Sequence, residues 1–231
     1  MLQSIIKTIV TLLGFNSKPP TVPKSTKIKS INNEEFHKQY KNGRREYCDL
    51  ILEDVSLKWI NLQGINFFGS DFRTVNLEGV NLKNANLSGV NFSGMNLQGI
   101  NLTNANLCEA ILVGTNLRGA NLNGTNLSQA NLSYADLYHA FLVGTNLSDA
   151  HLYAVELSKA DLQGANLSGA NLTKANLTWA DLSSTNLSQT DLAWTNLTYA
   201  DLHGSSFCLA HRFRTMVTGA RIPNFIINKP L

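Results

Sequence analysis

The stretch from Ala165 to Ser184 reads ANLSG ANLTK ANLTW ADLSS, four successive units of five residues with one pattern. Each unit has Leu in its third place, Asn or Asp before it, and Ala two residues before it. The same phase holds from Leu52 to Phe207 without an insertion, which makes 32 consecutive units with Leu or Phe at that place. Since every unit must occupy an equivalent position in space, the repeat predicts a solenoid.

A period of five fits neither a long helix nor a flat strand. Leucines five apart rotate by about 500° per unit around an α-helix and leave no apolar stripe. Asn and Asp in nearly every unit favour turns over helix. We therefore expect a coil that turns after each unit, with the Leu and the small residue pointing inward. Its backbone groups then pair with the coils above and below, about 4.8 Å away.

Three of the units, at residues 165–169, 170–174 and 180–184, resemble those of the pentapeptide repeat family, which is abundant in cyanobacteria. The resemblance covers roughly two thirds of the chain. It implies an all-β fold, a right-handed quadrilateral β-helix solenoid of about eight coils, with short helical or irregular terminal segments. The family hosts several unrelated roles, so the resemblance alone implies no particular biochemistry.

The sequence divides into five segments. They are an amphipathic apolar segment (1–15), a Pro-containing linker (16–31), an N-terminal capping helix with the start of the repeats (32–47), the repeat β-helix (48–210), and a C-terminal cap or tail (211–231). Asn32 or Asn33 can cap the helix, and Asn42-Gly43 can end it. Such caps cover the open ends of a solenoid.

The two ends leave alternatives open. Residues 1–15 are too few to span a bilayer and lack the basic start and cleavage site of a secretory signal. They could form an interfacial helix on a membrane surface, a helix docked on this protein or on a second copy, a disordered arm or an atypical signal. At the other end, apolar residues such as Phe213 and Met216 could close the last coil or form a homodimer contact.

The charges are unevenly distributed along the chain. Residues 1–47 carry nine Lys and Arg against three Asp and Glu, whereas residues 48–210 carry six against thirteen. Such asymmetry suggests that the N-terminal end and the rod contact different partners, although a solvated arm has the same composition.

The cysteine content suggests a compartment. Cys108 and Cys208 lie 100 residues apart, too far for a disulfide in this fold, and only Cys48 remains. We expect a reduced, cytoplasmic setting, peripheral at a membrane if residues 1–15 bind one.

Residues twenty apart should stack in columns, and one outward column is unusual. It contains Trp59, Gly79, Gly99, Gly119, His139, Lys159, Trp179 and Tyr199, with Tyr138 beside it; the neighbouring face adds Tyr134, Tyr153, Lys174 and Trp194. Exposed Trp and Tyr are enriched at protein interfaces. Our candidate partner-binding residues are Trp179, Tyr199, Trp194, Lys159, His139, Tyr138 and Tyr153. Alternatively, these rings cover backbone and the edges of neighbouring Leu residues, or pack under the tail.

The sequence favours an interaction role over chemistry. It shows no phosphate-binding loop after a strand and no recognised metal-ligand spacing, so we predict no enzyme activity, catalytic residue, metal or cofactor. We expect a rigid rod that binds an unidentified protein partner and does not bind nucleic acid directly. The alternatives are a DNA mimic acting on a topoisomerase, suggested by the acidic column Asp161, Asp181 and Asp201, and a membrane-tethered structural element.

Overall fold

One type of turn recurs along the repeat units. The N–H of Ala165 donates to the carbonyl of Leu162 at 2.9 Å, and the N–H of Ala170 donates to that of Leu167 at 3.0 Å. The third residue of each of these turns, Gly164 and Gly169, has a left-handed φ of 65° and 71°. This is the pattern of a type II turn, which suits Gly or Asn at that place. The chain therefore changes direction every five residues.

A computed structural model describes residues 29–223. Parallel bridges join residues twenty positions apart, as in the series Asn126, Asn146 and Asn166, and such bridges recur from Glu46 to Arg221. The regular elements within the described residues are strand β1 (Lys29–Asn32), helix α1 (Asn33–Lys41), strand β2 (Leu50–Glu53) and a 3₁₀ helix (Phe207–Leu209). β1 and β2 are parallel, with Lys29 opposite Leu50. The architecture is a stack of parallel rungs.

The interior is filled as the period predicts. Leu167, Leu172, Ala165 and Ala170 are all buried, and the same holds along the repeats. Where Thr replaces the inward Ala, its hydroxyl donates a hydrogen bond to a backbone carbonyl. Thr125 Oγ1, for example, donates to the Leu102 oxygen at 2.8 Å. Buried hydroxyls of this kind carry little cost because they are hydrogen-bonded.

The Asn before the Leu builds a side-chain ladder on one side. Asn146 Nδ2 donates to Asn126 Oδ1 at 3.1 Å, and Asn126 Nδ2 donates to Asn106 Oδ1 at 3.0 Å. Asn126 Oδ1 also accepts the N–H of Ser128 at 3.2 Å and so holds its own turn. These Asn side chains are structural, because each one bonds both its neighbour in the stack and the backbone.

The N-terminal end is closed by β1 and α1. The side chain of Asn32 accepts the Glu35 N–H at 3.0 Å as the N-cap, and Asn42 ends the helix. Phe36 of α1 is buried against Tyr47, with ring centroids 4.7 Å apart. The expectation of a linker through residue 31 is wrong for residues 29–31, because Ile31 pairs with Leu52 and is buried as an inward residue of the first rung.

The repeats run further than the sequence reading placed them. We expected residues 211–231 to form a separate cap or tail, yet His211, Met216 and Arg221 bridge to residues twenty before them. Arg212 stands where Leu occurs in the other units, and its guanidinium lies over the Phe207 ring at 5.0 Å. The stem of an Arg can cover apolar surface in this way. Phe213 and Met216 are exposed and do not fill the coil.

Several expectations fall on residues 1–28 and 224–231, which lie outside the described residues. They include the role of residues 1–15, most of the linker and the end of the tail. None of the helices between residues 29 and 223 has the length and apolar character that a bilayer crossing requires.

Candidate interaction surface

Trp179 and Tyr199 occupy equivalent places in successive rungs. Both stand at the third residue of a turn, with left-handed φ values of 62° and 60°. Their rings stack with centroids 4.3 Å apart and planes at 20°. The Trp179 side chain is 58% exposed and that of Tyr199 48%. The other face of Tyr199 lies against Gly219, where a Cβ would collide with the ring. One pair of rings thus forms a short exposed stack.

The preceding rungs continue this column with a different chemistry. The Tyr138 ring lies between two cations, with Arg118 Cζ 4.3 Å and Lys159 Nζ 5.6 Å from its centroid. The imidazole of His139 lies 6.1 Å from the same ring. Arg118 also forms a salt bridge to Asp136 at 3.0 Å. Cations placed over an aromatic face in this way are attracted by its quadrupole.

One repeat unit earlier in each coil, a second column carries the same kinds of side chain. Trp194 and Phe213 meet edge to face at 5.9 Å, and Arg214 Cζ lies 4.5 Å from the Trp194 ring. Tyr134 and Tyr153 meet edge to face at 5.5 Å. These contacts form two ring pairs in the second column, one at each end of the stretch from residue 134 to residue 213.

Lys174 joins this second column through Tyr153. Its Nζ lies 5.4 Å from the centroid of the Tyr153 ring. A hydrogen bond to the Tyr153 side chain raises the pKa of Lys174, and burial raises the pKa of Tyr134 beside it. Lys174 therefore stays protonated, and the column keeps its positive charge at neutral pH.

Between residues 118 and 214, the aromatic and basic side chains are confined to two of the four sets of turns. We define the aromatic side as the turns at residues 118–119, 138–139, 158–159, 178–179 and 198–199, those at 133–134, 153–154, 173–174, 193–194 and 213–214, and the segments between them. These turns hold seven Tyr, Trp or Phe and four Lys or Arg. The turns of the other two sets, at 123–124 through 203–204 and at 128–129 through 208–209, hold none. We call these the plain turns.

The large side chains of the aromatic side are not needed for the fold. The plain turns are closed by the same backbone hydrogen bonds, as Ala165 and Leu162 show. A residue other than Gly in the left-handed region costs roughly 1 kcal/mol, and Trp179, Tyr199 and Trp194 all accept that cost. Gln129, Asp149 and Ser184 in the plain turns have the same left-handed φ, so the large side chains and not the backbone conformation distinguish the aromatic side.

The structure distributes the seven candidate residues over two adjacent columns. Lys159, His139, Trp179 and Tyr199 share one column with Tyr138 beside it, whereas Trp194 and Tyr153 belong to the other. The sequence analysis noted Tyr134 and Lys174 on the neighbouring face without counting them as candidates, and it did not include Arg118, Phe213 or Arg214 in this surface. Phe213 and Arg214 lie beyond residue 210, where the sequence analysis ends the repeats. Counting twenty residues on from Trp194 finds Arg214 in the same column.

This geometry defines a β-helical repeat protein with one exposed aromatic side. Eight copies of the family model described as Pentapeptide repeats match residues 51–89, 85–124, 110–149, 150–189 and 175–211. The chain belongs to the pentapeptide repeat family, as the sequence predicted, and its fold is a right-handed β-helix. No curated protein matches the chain.

Solved structures of pentapeptide repeat proteins are similar to this chain. HetL from the cyanobacterium Nostoc sp. strain PCC 7120, involved in heterocyst differentiation regulation, is 28% identical with a TM-score of 0.52, covering 82% of this chain and 94% of HetL. Trypsin-treated QnrB1, a plasmid-mediated fluoroquinolone resistance protein, is 22% identical with a TM-score of 0.69, covering 78% of this chain and 90% of QnrB1. Rfr23 from the cyanobacterium Cyanothece 51142 is 29% identical with a TM-score of 0.31, covering 57% and 87%.

Proposed function

We propose that this protein is a non-enzymatic interaction module, a rigid rod that binds a protein partner through its aromatic side. The observation that carries the proposal is the one-sided decoration: rings and cations fill two adjacent sets of turns and are missing from the plain turns of the same coils. A fold requirement would act on all four sets alike, because their backbone geometry repeats.

The proposal takes the rod to be four-sided with about eight coils, since bridged residues are twenty apart and 32 units are in phase. Residues 134 and 214 are then four rungs apart, so the decorated length is about 19 Å at the strand spacing. A surface of this height is large enough for a cluster of anchor residues. The stacked rungs hold these anchors in place, which lowers the entropy lost on binding.

The chemistry of the aromatic side favours an acidic partner surface. Lys159, Lys174 and Arg214 contact aromatic rings, and within residues 29–223 no carboxylate lies within ion-pair distance of them. The repeats as a whole carry an excess of Asp and Glu, so this positive area is a local reversal of charge. Charge complementarity of this kind steers association and selects partners. The similarity to HetL, a protein involved in a regulatory process, agrees with a role exerted through protein contacts.

DNA mimicry toward a topoisomerase is the second candidate, and one observation favours it. Asp161, Asp181 and Asp201 bridge in successive rungs and form an acidic column. The next residue of this column is Arg221, which binds Asp201 at 3.2 Å, and His203 Nδ1 lies 2.9 Å from the same carboxylate. Three aspartates, one of them neutralised, imitate a duplex poorly, so we rank this function second. Salt-sensitive inhibition of gyrase that is lost in Asp161→Asn/Asp181→Asn would reverse the order.

Three further proposals concern the ends and the location. Residues 1–15 would contact a membrane surface or pack on protein, the C-terminal tail would support a homodimer, and the rod would be cytoplasmic. They rest on sequence composition.

Site-specific photo-crosslinking tests the main proposal. A photoreactive amino acid at Thr173, on the aromatic side, should capture a partner that the same group at Ser188, in a plain turn, does not. The capture should be lost in Trp179→Gly/Tyr199→Gly and kept in Trp59→Gly, which changes an exposed Trp of the same column at the far end. Equal capture from Thr173 and Ser188, or capture unaffected by the double change, would contradict the proposal.

A further inference from the structure

Arg212 occupies an inward place of the last coil. Phe207, Arg212, Val217 and Ile222 follow one another at the places that hold Leu or Phe in the earlier coils. The guanidinium of Arg212 therefore lies at the end of the apolar interior, with its Cζ 5.0 Å from the centroid of the Phe207 ring. A charged group at such a place costs free energy unless it is paired.

One nitrogen of this guanidinium is buried without a hydrogen-bond partner. Among the described residues, Tyr47 Oη and Arg212 Nη1 are the buried side-chain N and O atoms that have no partner. The tyrosine hydroxyl is neutral, and leaving it unpaired costs less than leaving a charged group unpaired. The Phe207 ring attracts the positive charge of Arg212, but it does not replace an oxygen acceptor for the N–H groups. The buried nitrogen thus lacks an acceptor.

The surrounding sequence supplies no counter-ion. Between residues 211 and 223 the chain has three Arg and no Asp or Glu. Within the part of the chain that the structure describes, no carboxylate forms an ion pair with Arg212. The carboxylate of Asp201, in the preceding coil, is bonded to Arg221 at 3.2 Å. The C-terminal end of the rod is therefore positive and attracts anions.

Within the described residues, the interior of the last coil is open toward the C-terminal end. Val217, Ala220 and Ile222 are only partly buried against the core, whereas every inward Leu from 102 to 202 is at most 1% exposed. Bridges join the last coil to the coil before it, and residues up to 223 form none on its other side. Arg212 as a whole is also only partly buried. A ligand at this end can contact both the guanidinium and the apolar side chains around it.

We propose that Arg212 binds a carboxylate at the C-terminal end of the rod. A carboxylate offers two oxygens to the fork of a guanidinium and satisfies N–H groups that the Phe207 ring leaves unpaired. Val217 and Ile222 favour an acid whose carboxylate is joined to a short apolar group. They also favour a single negative charge over a phosphate, because removing a doubly charged group from water costs more. The carboxylate belongs to a free organic acid or to an acidic residue of a polypeptide, and the site does not depend on the aromatic side.

Titration of the complete chain with butyrate tests the proposal. Amide resonances of residues 207–222 should shift with butyrate, relative to chloride at the same ionic strength, and should not shift with the neutral butyramide. Arg212→Leu restores the residue of the other coils and should weaken butyrate binding about tenfold or more, the effect of losing a charged hydrogen bond. Arg221→Leu removes a cation from the same end and should leave the dissociation constant within about twofold.

Thermal unfolding provides a second measurement. Without a carboxylate, Arg212→Leu should unfold at a higher temperature than the unchanged protein, because Leu replaces an unpaired buried charge. Butyrate should raise the unfolding temperature of the unchanged protein above its value in chloride and leave that of Arg212→Leu where it is.

Three results would overturn the proposal. Equal butyrate binding by the unchanged protein and Arg212→Leu means that the anion binds elsewhere. Equal binding of butyrate and butyramide means that the charge is not recognised, and tighter binding of phosphate means that the ligand class is wrong. The capped peptide acetyl-Ala-Glu-Ala-amide separates the two sources within the proposal. Tighter binding of the peptide indicates a polypeptide, and tighter binding of butyrate indicates a free acid.

Discussion

Trp179 and Tyr199 are twenty residues apart in the chain and stack face to face with ring centroids 4.3 Å apart. The stack exists because the left-handed third residue of each turn projects outward at the same place in every rung. A coil of four five-residue units thus brings residues twenty apart in sequence into contact as exposed rings. The contribution of this contact to the free energy of unfolding can be measured.

Trp179→Gly should change the free energy of unfolding by less than about 1 kcal/mol. The substitution gives up a ring pair worth about 0.5–1.5 kcal/mol but releases a non-Gly residue from a left-handed φ at about 1 kcal/mol. Chemical denaturation checks this, with Trp59→Gly as the control at an equivalent place. A loss of 3 kcal/mol or more would show that the ring is a structural residue.

The Asn ladder should contribute more than the turn bond alone. Asn126→Ala removes two ladder bonds and the bond from the Ser128 N–H, whereas Asn121→Ala removes a single bond, from the Asn123 N–H at 3.2 Å. At about 1 kcal/mol per bond, Asn126→Ala should be about 2 kcal/mol more destabilising. Equal midpoints of thermal unfolding for the two variants would mean that the ladder bonds add nothing.

Thr125→Val should lower the free energy of unfolding by about 1 kcal/mol. The buried hydroxyl loses its bond to the Leu102 carbonyl, but that oxygen keeps the turn bond from the Ala105 N–H. The loss is therefore smaller than that of a fully orphaned acceptor. Thr125→Ser keeps the hydroxyl and serves as the comparison in denaturant titrations. A Val variant more stable than the unchanged protein would show that the Thr125 hydroxyl is destabilising.

Acid should destabilise the rod partly through Asp71. A hydrogen bond from the Arg73 side chain holds the pKa of Asp71 below its ordinary value of 3.8, against partial burial, which raises it. A carboxyl with a lowered folded pKa contributes stability that is complete above the ordinary value and is lost as pH falls through the folded one. Asp71→Asn keeps an acceptor for the Arg73 N–H and should flatten the fall in stability below about pH 4.

The check is denaturant unfolding of both proteins between pH 7 and pH 2. The two curves should converge at the acid end, because protonated Asp71 has also lost its ion pair with Arg73. Parallel curves over the whole range would show that this pair does not contribute to the acid response.

The sequence by itself determined the repeat, the inward Leu and Ala, the turns and the Asn ladder. Local period alone dictates these features, since each unit repeats one geometry. It also placed Trp179 and Tyr199 in one column, because counting by twenties needs no coordinates. Only the tertiary structure decided where the stack begins and ends. Ile31 joins the first rung by pairing with Leu52, and Arg212 continues the repeat by covering the Phe207 ring. These outcomes depend on how side chains of different coils share one interior, which no single unit contains.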